Sequence, residues 1–127
     1  HPALIKPNGK LFTPNEIHEF QLIQNSAMPS IWDEWFESAG IKVPPTGSRK
    51  FQAQNSSQVI EALQSGDSIG LIDRNFIKKD IESGRLALAC DFVLLGKDGY
   101  FLTAPKPAEI LPSFLSFKDW IFTQLRV

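Results

Sequence analysis

Apolar positions along this chain fall in short clusters whose spacing alternates between the helical period of 3.6 and the strand period of 2. Ile31, Trp32, Trp35, Phe36 and Ala39 recur at i, i+1, i+4, i+5 and i+8, one face of a helix. Asp33, Glu34 and Glu37 fill the opposite face, and Gly40 is the expected stop. Upstream, Leu22-Ile23 reads as a buried strand ending at Gln24-Asn25-Ser26. Before it, Thr13-Pro14-Asn15-Glu16 puts Thr at an N-cap, Pro at the first helical position and Glu three residues after the Thr. This capping box with a favoured proline predicts a short helix from about Pro14 to Phe20.

Pro44-Pro45-Thr46-Gly47 reads as a loop. Arg49 to Gln54 alternates loosely, as a strand does. Asn55-Ser56 then cap a helix over about Ser57 to Ser65, with Val59, Ile60 and Leu63 inward and Gly66 at its end. Ser68 to Ile72 is a buried strand, and Asn75 to Ser83 a further helix closed by Gly84. Strand and helix alternating in steps this short predict βαβ units and a mainly parallel sheet with right-handed crossovers. Leu86 to Ala89, Phe92 to Leu95 and Tyr100 to Thr103 read as three short strands, with Lys97-Asp98-Gly99 as a hairpin turn between the last two. Pro105, Pro107 and Pro112 mark a stiff connection into a final helix, about Pro112 to Arg126. On that helix Phe114, Leu115, Phe117, Trp120, Ile121, Phe122 and Leu125 spread over roughly 220°, against the ~100° apolar stripe of an ordinary surface helix. A helix so broadly apolar calls for cover on more than one side, by further chain or by a second copy.

Composition narrows the class. With 127 residues, 43% of them hydrophobic, the chain can bury one core without disulfides or metals. Thirteen Lys+Arg against 14 Asp+Glu give a formal net charge of −1, which excludes a strongly basic nucleic-acid binder. One cysteine, Cys90, forms no internal disulfide and removes zinc ribbons and CxxC redox motifs. No apolar run approaches the ~20 residues of a membrane span, and no signal-sequence pattern opens the chain. These observations predict a soluble, cytoplasmic globular piece. Because it opens on His1 rather than Met, it is expected to be cut from something longer.

The order of these motifs resembles the effector-binding domain of LysR-type transcriptional regulators, entered about a third of the way in. The matching residues are Thr13-Pro14-Asn15-Glu16, Trp32, Trp35, Phe36, Ala39-Gly40, Phe51, Val59-Ile60, Gly66, Asp80-Ile81, Ser83-Gly84-Arg85-Leu86, Tyr100 and Phe117…Trp120-Ile121. The match covers nearly the whole chain, and its specificity lies in order and spacing rather than in one motif. The paired tryptophans are similar to the subgroup that includes glycine-cleavage and β-lactamase regulators. Gly66-Asp67-Ser68 departs from the Gly-x-Gly usual before the strand.

The resemblance implies an α/β, type 2 periplasmic-binding-protein-like regulatory domain: one near-complete lobe with a mainly parallel sheet plus remnants of the other. Residues 1–19 would be a remnant of the first lobe and hinge, 20–104 the second lobe, and 105–127 a C-terminal helix of the first lobe. It also implies a small-molecule effector in the interlobe cleft, a homo-oligomer, and DNA binding only through a winged helix-turn-helix absent here. No membrane partner and no cofactor are implied.

Ligands of open α/β sheets bind beyond the carboxyl ends of the strands, near helix N-termini. Gln24, Asn25 and Ser26 follow the first strand, and Gln54, Asn55, Ser56 and Ser57 follow the second. Both runs offer amides and hydroxyls beside orphan backbone N–H groups, suited to a carboxylate-bearing effector. Plain capping by Asn and Ser explains the same residues, and both roles stay open. Tyr100 and Thr103 are candidate effector contacts where the chain would cross between lobes, with strand packing as the alternative. Trp32 and Trp35 read as core rather than a stacking platform, and Asp33, Glu34 and Glu37 as a solvated face rather than an acid–base pair. Cys90 reads as a small buried hydrophobe, and His18 has no partners at metal-ligand spacing beyond adjacent glutamates. No nucleophile elbow, P-loop, HExxH or GxGxxG occurs, so no catalytic residue is assigned. Three functions remain open at this level: a regulator's sensing module, a binding protein or enzyme fragment of the same two-lobe architecture, and a dimerisation module.

Overall fold

A computed structural model describes residues 1–42, 50–96 and 99–125 of the chain, without the side chains of Lys50 and Ala108. The Pro44–Gly47 loop, the Arg49 start of the second strand, the Lys97-Asp98 part of the hairpin turn and the Arg126 end of the last helix lie outside the described residues. Two compact units are present, residues 1–94 and 95–127.

In the first unit the elements run α1 (Pro14–Ile17), β1 (Gln21–Asn25), α2 (Ile31–Ser38), β2 (Lys50–Ala53), α3 (Ser56–Leu63), β3 (Ser68–Gly70) and α4 (Arg74–Glu82). β1 lies between β2 and β3, parallel to both, in the order β2-β1-β3. The parallel α/β arrangement is therefore as the alternating pattern predicts. α1 starts on the expected box: the Thr13 N–H donates to the Glu16 carboxylate at 2.8 Å and its hydroxyl to the same oxygen at 3.0 Å. Lys6 Nζ also reaches Glu16, at 2.7 Å. That ammonium first, then the Thr13 N–H and hydroxyl, lower the Glu16 carboxyl from its ordinary 4.5 to about 2. Helix α1 stops at Ile17, short of Phe20, and the chain continues in tighter i→i−3 bonds from Glu19 and Phe20.

β1 is buried on both faces, and period-2 alternation divides the core in two. Leu22 packs with Trp32, Trp35, Phe36, Phe12, Ile17, Ile69 and Cys90 on the α2 side. Ile23 packs with Ala53, Val59, Leu63 and Leu86 on the α3 side. Trp32 and Trp35, 1% and 2% exposed, are core residues anchored by their indole N–H groups. Trp32 donates to the Ile23 carbonyl at 2.8 Å and Trp35 to the Phe92 carbonyl at 3.3 Å. Gly40, at φ +74°, closes α2 in a Schellman turn, with Ile41 N–H on the Phe36 carbonyl and Gly40 N–H on that of Glu37. Gly70 lets α3 lie close on β3, since a Cβ there would stand 2.9 Å from Val59 Cγ1.

The three strand readings after α4 are corrected: residues 86–89, 92–95 and 100–103 form no strand. A strand needs a partner ladder, and residues 86–89 are held instead by isolated backbone bonds, Leu86 N–H to the Asp80 carbonyl at 3.0 Å and Phe12 N–H to the Ala89 carbonyl at 2.8 Å. Leu86 and Cys90 are instead fixed by burial of their side chains. Tyr100, Phe101 and Leu102 are all exposed, so no buried face organises them. The second unit holds α5 (Pro112–Leu125), which has no buried residue; Leu115, Phe117, Trp120, Phe122 and Leu125 are exposed.

Candidate functional site

Parallel pairing decides which polar runs meet. The β1–β2 register sets Asn25 opposite Ala53, and the Ser26 N–H donates to the Ala53 carbonyl at 2.8 Å. Gln24-Asn25-Ser26 and Gln54 to Ser57 therefore emerge side by side at the carboxyl ends of two adjacent strands. Helix α3 begins there. Asn55 caps it, its Oδ1 accepting the Gln58 N–H at 3.0 Å. Gln58 in turn accepts the Gln54 N–H on its own Oε1 at 2.8 Å. Ser56 is half-buried and Ser57 exposed, and their N–H groups, in the first helical turn, have no intrahelical acceptor. Such donors, with the positive end of the helix dipole and two hydroxyls, suit a small anion.

The first run is built differently. Alternation puts Gln24 on the α2 face of the sheet with Leu22, and Asn25 on the α3 face with Ile23. Gln24 is 7% exposed, and its Nε2 lies 3.2, 3.0 and 3.1 Å from the carbonyls of Asn25, Met28 and Pro29. Three carbonyls can only accept, so the amide nitrogen must be the atom facing them. Its Oε1 is then buried with no partner, a cost of about 1–3 kcal/mol for such a group. Asn25 is buried too; its Oδ1 accepts the Ala27 N–H at 3.0 Å, and its carbonyl accepts the Met28 N–H at 3.0 Å. Of the first run, only Ser26 is exposed.

Tyr100 and Thr103 belong to the second unit, where both are exposed, Tyr100 at 81%. Asp33, Glu34 and Glu37 lie on the exposed face of α2, and Cys90 is buried. Among the described residues no group of three or more His, Cys, Asp or Glu could hold a metal ion. No helix among them is long and apolar enough to cross a membrane. The locking role of Gln58 escaped the sequence reading, although the spacing Asn55-x-x-Gln58 carries its signal, a glutamine at the third helical position.

The sequence model of the LysR substrate binding domain matches residues 2–126. An uncharacterised HTH-type transcriptional regulator, y4mQ, of Sinorhizobium fredii is 24% identical over 111 residues, covering 86% of this chain and 37% of that protein. The glycine cleavage system transcriptional activator of Escherichia coli is 21% identical over 123 residues, covering 97% of this chain and 40% of that one. The chain thus spans about two fifths of the length of these relatives. No solved structure matches.

Proposed function

The chain belongs to the LysR substrate binding domain family, and from that premise we propose that it senses a small-molecule effector for a LysR-type transcriptional regulator. Effector binding favours one arrangement of the domain over another, and the difference in affinity shifts how the regulator sits on DNA. DNA contact belongs to a separate winged helix-turn-helix, in keeping with a net charge of −1 here. This reading carries the type 2 periplasmic-binding-protein-like architecture, with residues 20–104 as its second lobe, in a cytoplasmic homo-oligomer. The relatives are named as transcriptional regulators, which supports a sensor over an enzyme.

One observation carries the site: the register that joins Ser26 to Ala53 brings Ser26, Asn55, Ser56 and Ser57 to one end of the sheet. The three serine hydroxyls and the Ser56 and Ser57 N–H groups, which have no intrahelical acceptor, fit a carboxylate. The test is a transcriptional reporter driven by the full-length regulator. Ser56→Ala is expected to weaken the effector response while leaving thermal unfolding of the domain unchanged. A wild-type response from Ser56→Ala and Ser57→Ala together would place the effector elsewhere. Self-association is a second reading, favoured by the exposed apolar residues of α5, and a clean monomer by light scattering at high concentration refutes it.

A further inference from the structure

Gln24 is the one buried side chain among the described residues with a polar atom left unpartnered, and its amide points the other way for a reason. Nε2 meets three carbonyls at 3.0–3.2 Å, those of Asn25, Met28 and Pro29, which span the whole connection from β1 to α2. An amide N–H₂ has two hydrogens, so three acceptors share them in a forked clamp. The same connection turns on Asn25, whose Oδ1 holds the Ala27 N–H. Two side chains from opposite faces of β1 therefore brace one loop, whose residues 26–30 are all exposed and whose first, Ser26, lies beside the end of β2.

We propose that Gln24 is a positioning residue for the effector site, not an effector ligand: its amide clamps the β1–α2 loop and so sets where Ser26 stands against the start of α3. This rests on the reading above that the effector binds at the ends of β1 and β2. An isolated structural brace would affect stability alone. A positioning brace also changes how the site receives an anion.

The experiment uses the isotope-labelled chain as wild type, Gln24→Met and Gln24→Glu, with acetate as the probe and amide NMR as the readout. Met keeps the length and apolar body of the side chain but cannot donate. In Gln24→Met the exchange of the Met28 amide is expected to rise at least about tenfold, the equivalent of losing about 1.4 kcal/mol of loop stability. Acetate affinity, read from the Ser26 and Ser56 amides, falls several-fold, while α4 amides exchange as in wild type. Gln24→Glu supplies a conditional rescue. Facing three carbonyls in a buried position, its carboxyl is held above the usual range and ionises only with loss of the clamp. Lowering the pH from about 8 to about 6, where acetate stays ionised, protonates that carboxyl and lets its O–H donate again. Met28 protection and acetate affinity should then return together. Unchanged acetate affinity in Gln24→Met, with wild-type acetate shifts present, overturns the positioning role alone. Absence of acetate shifts at both Ser26 and Ser56 in wild type overturns the site reading and the positioning role with it.

Discussion

Replacing Trp32 by Phe should cost the fold more than replacing Trp35 by Phe, and the difference isolates one hydrogen bond. Both indoles are almost fully buried on the same face of α2, so each substitution removes the same benzo portion of the ring. At about 25 cal/mol per Å² and roughly 40 Å² of lost ring surface, that shared term is about 1 kcal/mol, before any cavity penalty. The bonds differ. Trp32 Nε1 donates at 2.8 Å to the carbonyl of Ile23, a residue only 1% exposed in the middle strand. Trp35 Nε1 donates at 3.3 Å to the Phe92 carbonyl in a partly buried position, where water can take over. Losing a hydrogen bond that no water can replace costs about 1 kcal/mol or somewhat more, whereas a solvent-replaceable bond costs well under that. Trp32→Phe should therefore lose about 2–4 kcal/mol in total and exceed Trp35→Phe by about 1 kcal/mol. Ring contacts run against this order. Trp35 packs edge-on against Trp32, Phe36 and Phe92, and Trp32 against Trp35 with a tilted contact to Phe36. Urea unfolding followed by far-UV circular dichroism gives both values from the midpoints, provided the denaturant slope is unchanged. Equal losses, or a larger loss for Trp35→Phe, would refute the argument that the Ile23 bond decides the packing of α2 on β1.

Three further outcomes follow, one from the core and two from the start of α1. Gly70→Ala should destabilise by about 1–3 kcal/mol through overpacking, because the new Cβ would stand 2.9 Å from Val59 Cγ1 and 3.3 Å from Leu63 Cδ1; a denaturation midpoint equal to wild type would show that α3 yields freely. Glu16 should titrate at about 2 in a carboxyl-carbon NMR experiment, and its contribution to stability, complete above 4.5, should be lost as pH falls through about 2. Removing the Lys6 ammonium with Lys6→Met should carry the midpoint part of the way back to 4.5; a midpoint that stays in place would assign the shift to Thr13 alone.

Much of the fold can be read from the chain because its signals are local. The Thr13–Glu16 box, the Asn55 cap, the apolar face of α2 and the Gly40 stop each depend on residues within one or two turns. Each appears in the structure where the spacing puts it. Charge and cysteine count are equally local facts, and they bounded the class before any fold was known. The runs 86–89, 92–95 and 100–103 show the limit of this. Their apolar residues satisfy a strand pattern, but a strand exists only where another strand offers its carbonyls, and the pattern of one segment says nothing of its partner.

The site divides in the same way. Glutamine, asparagine and serine at the ends of two strands are visible as chemistry in the sequence, and their closeness follows once the strands are known to be parallel neighbours. What each side chain does was decided by the tertiary structure. Gln24 and Asn25 are consecutive and chemically alike, yet pleating sends one to the α2 face and the other to the α3 face. There Gln24 meets three carbonyls of the loop it precedes and Asn25 the N–H of Ala27, so both are spent inside the loop. Ser26, one residue on, is left to the solvent. Sequence determined which groups are available at that end of the sheet. Pleating and burial, which depend on the strands and helices packed against β1 from distant parts of the chain, determined which of those groups stay exposed.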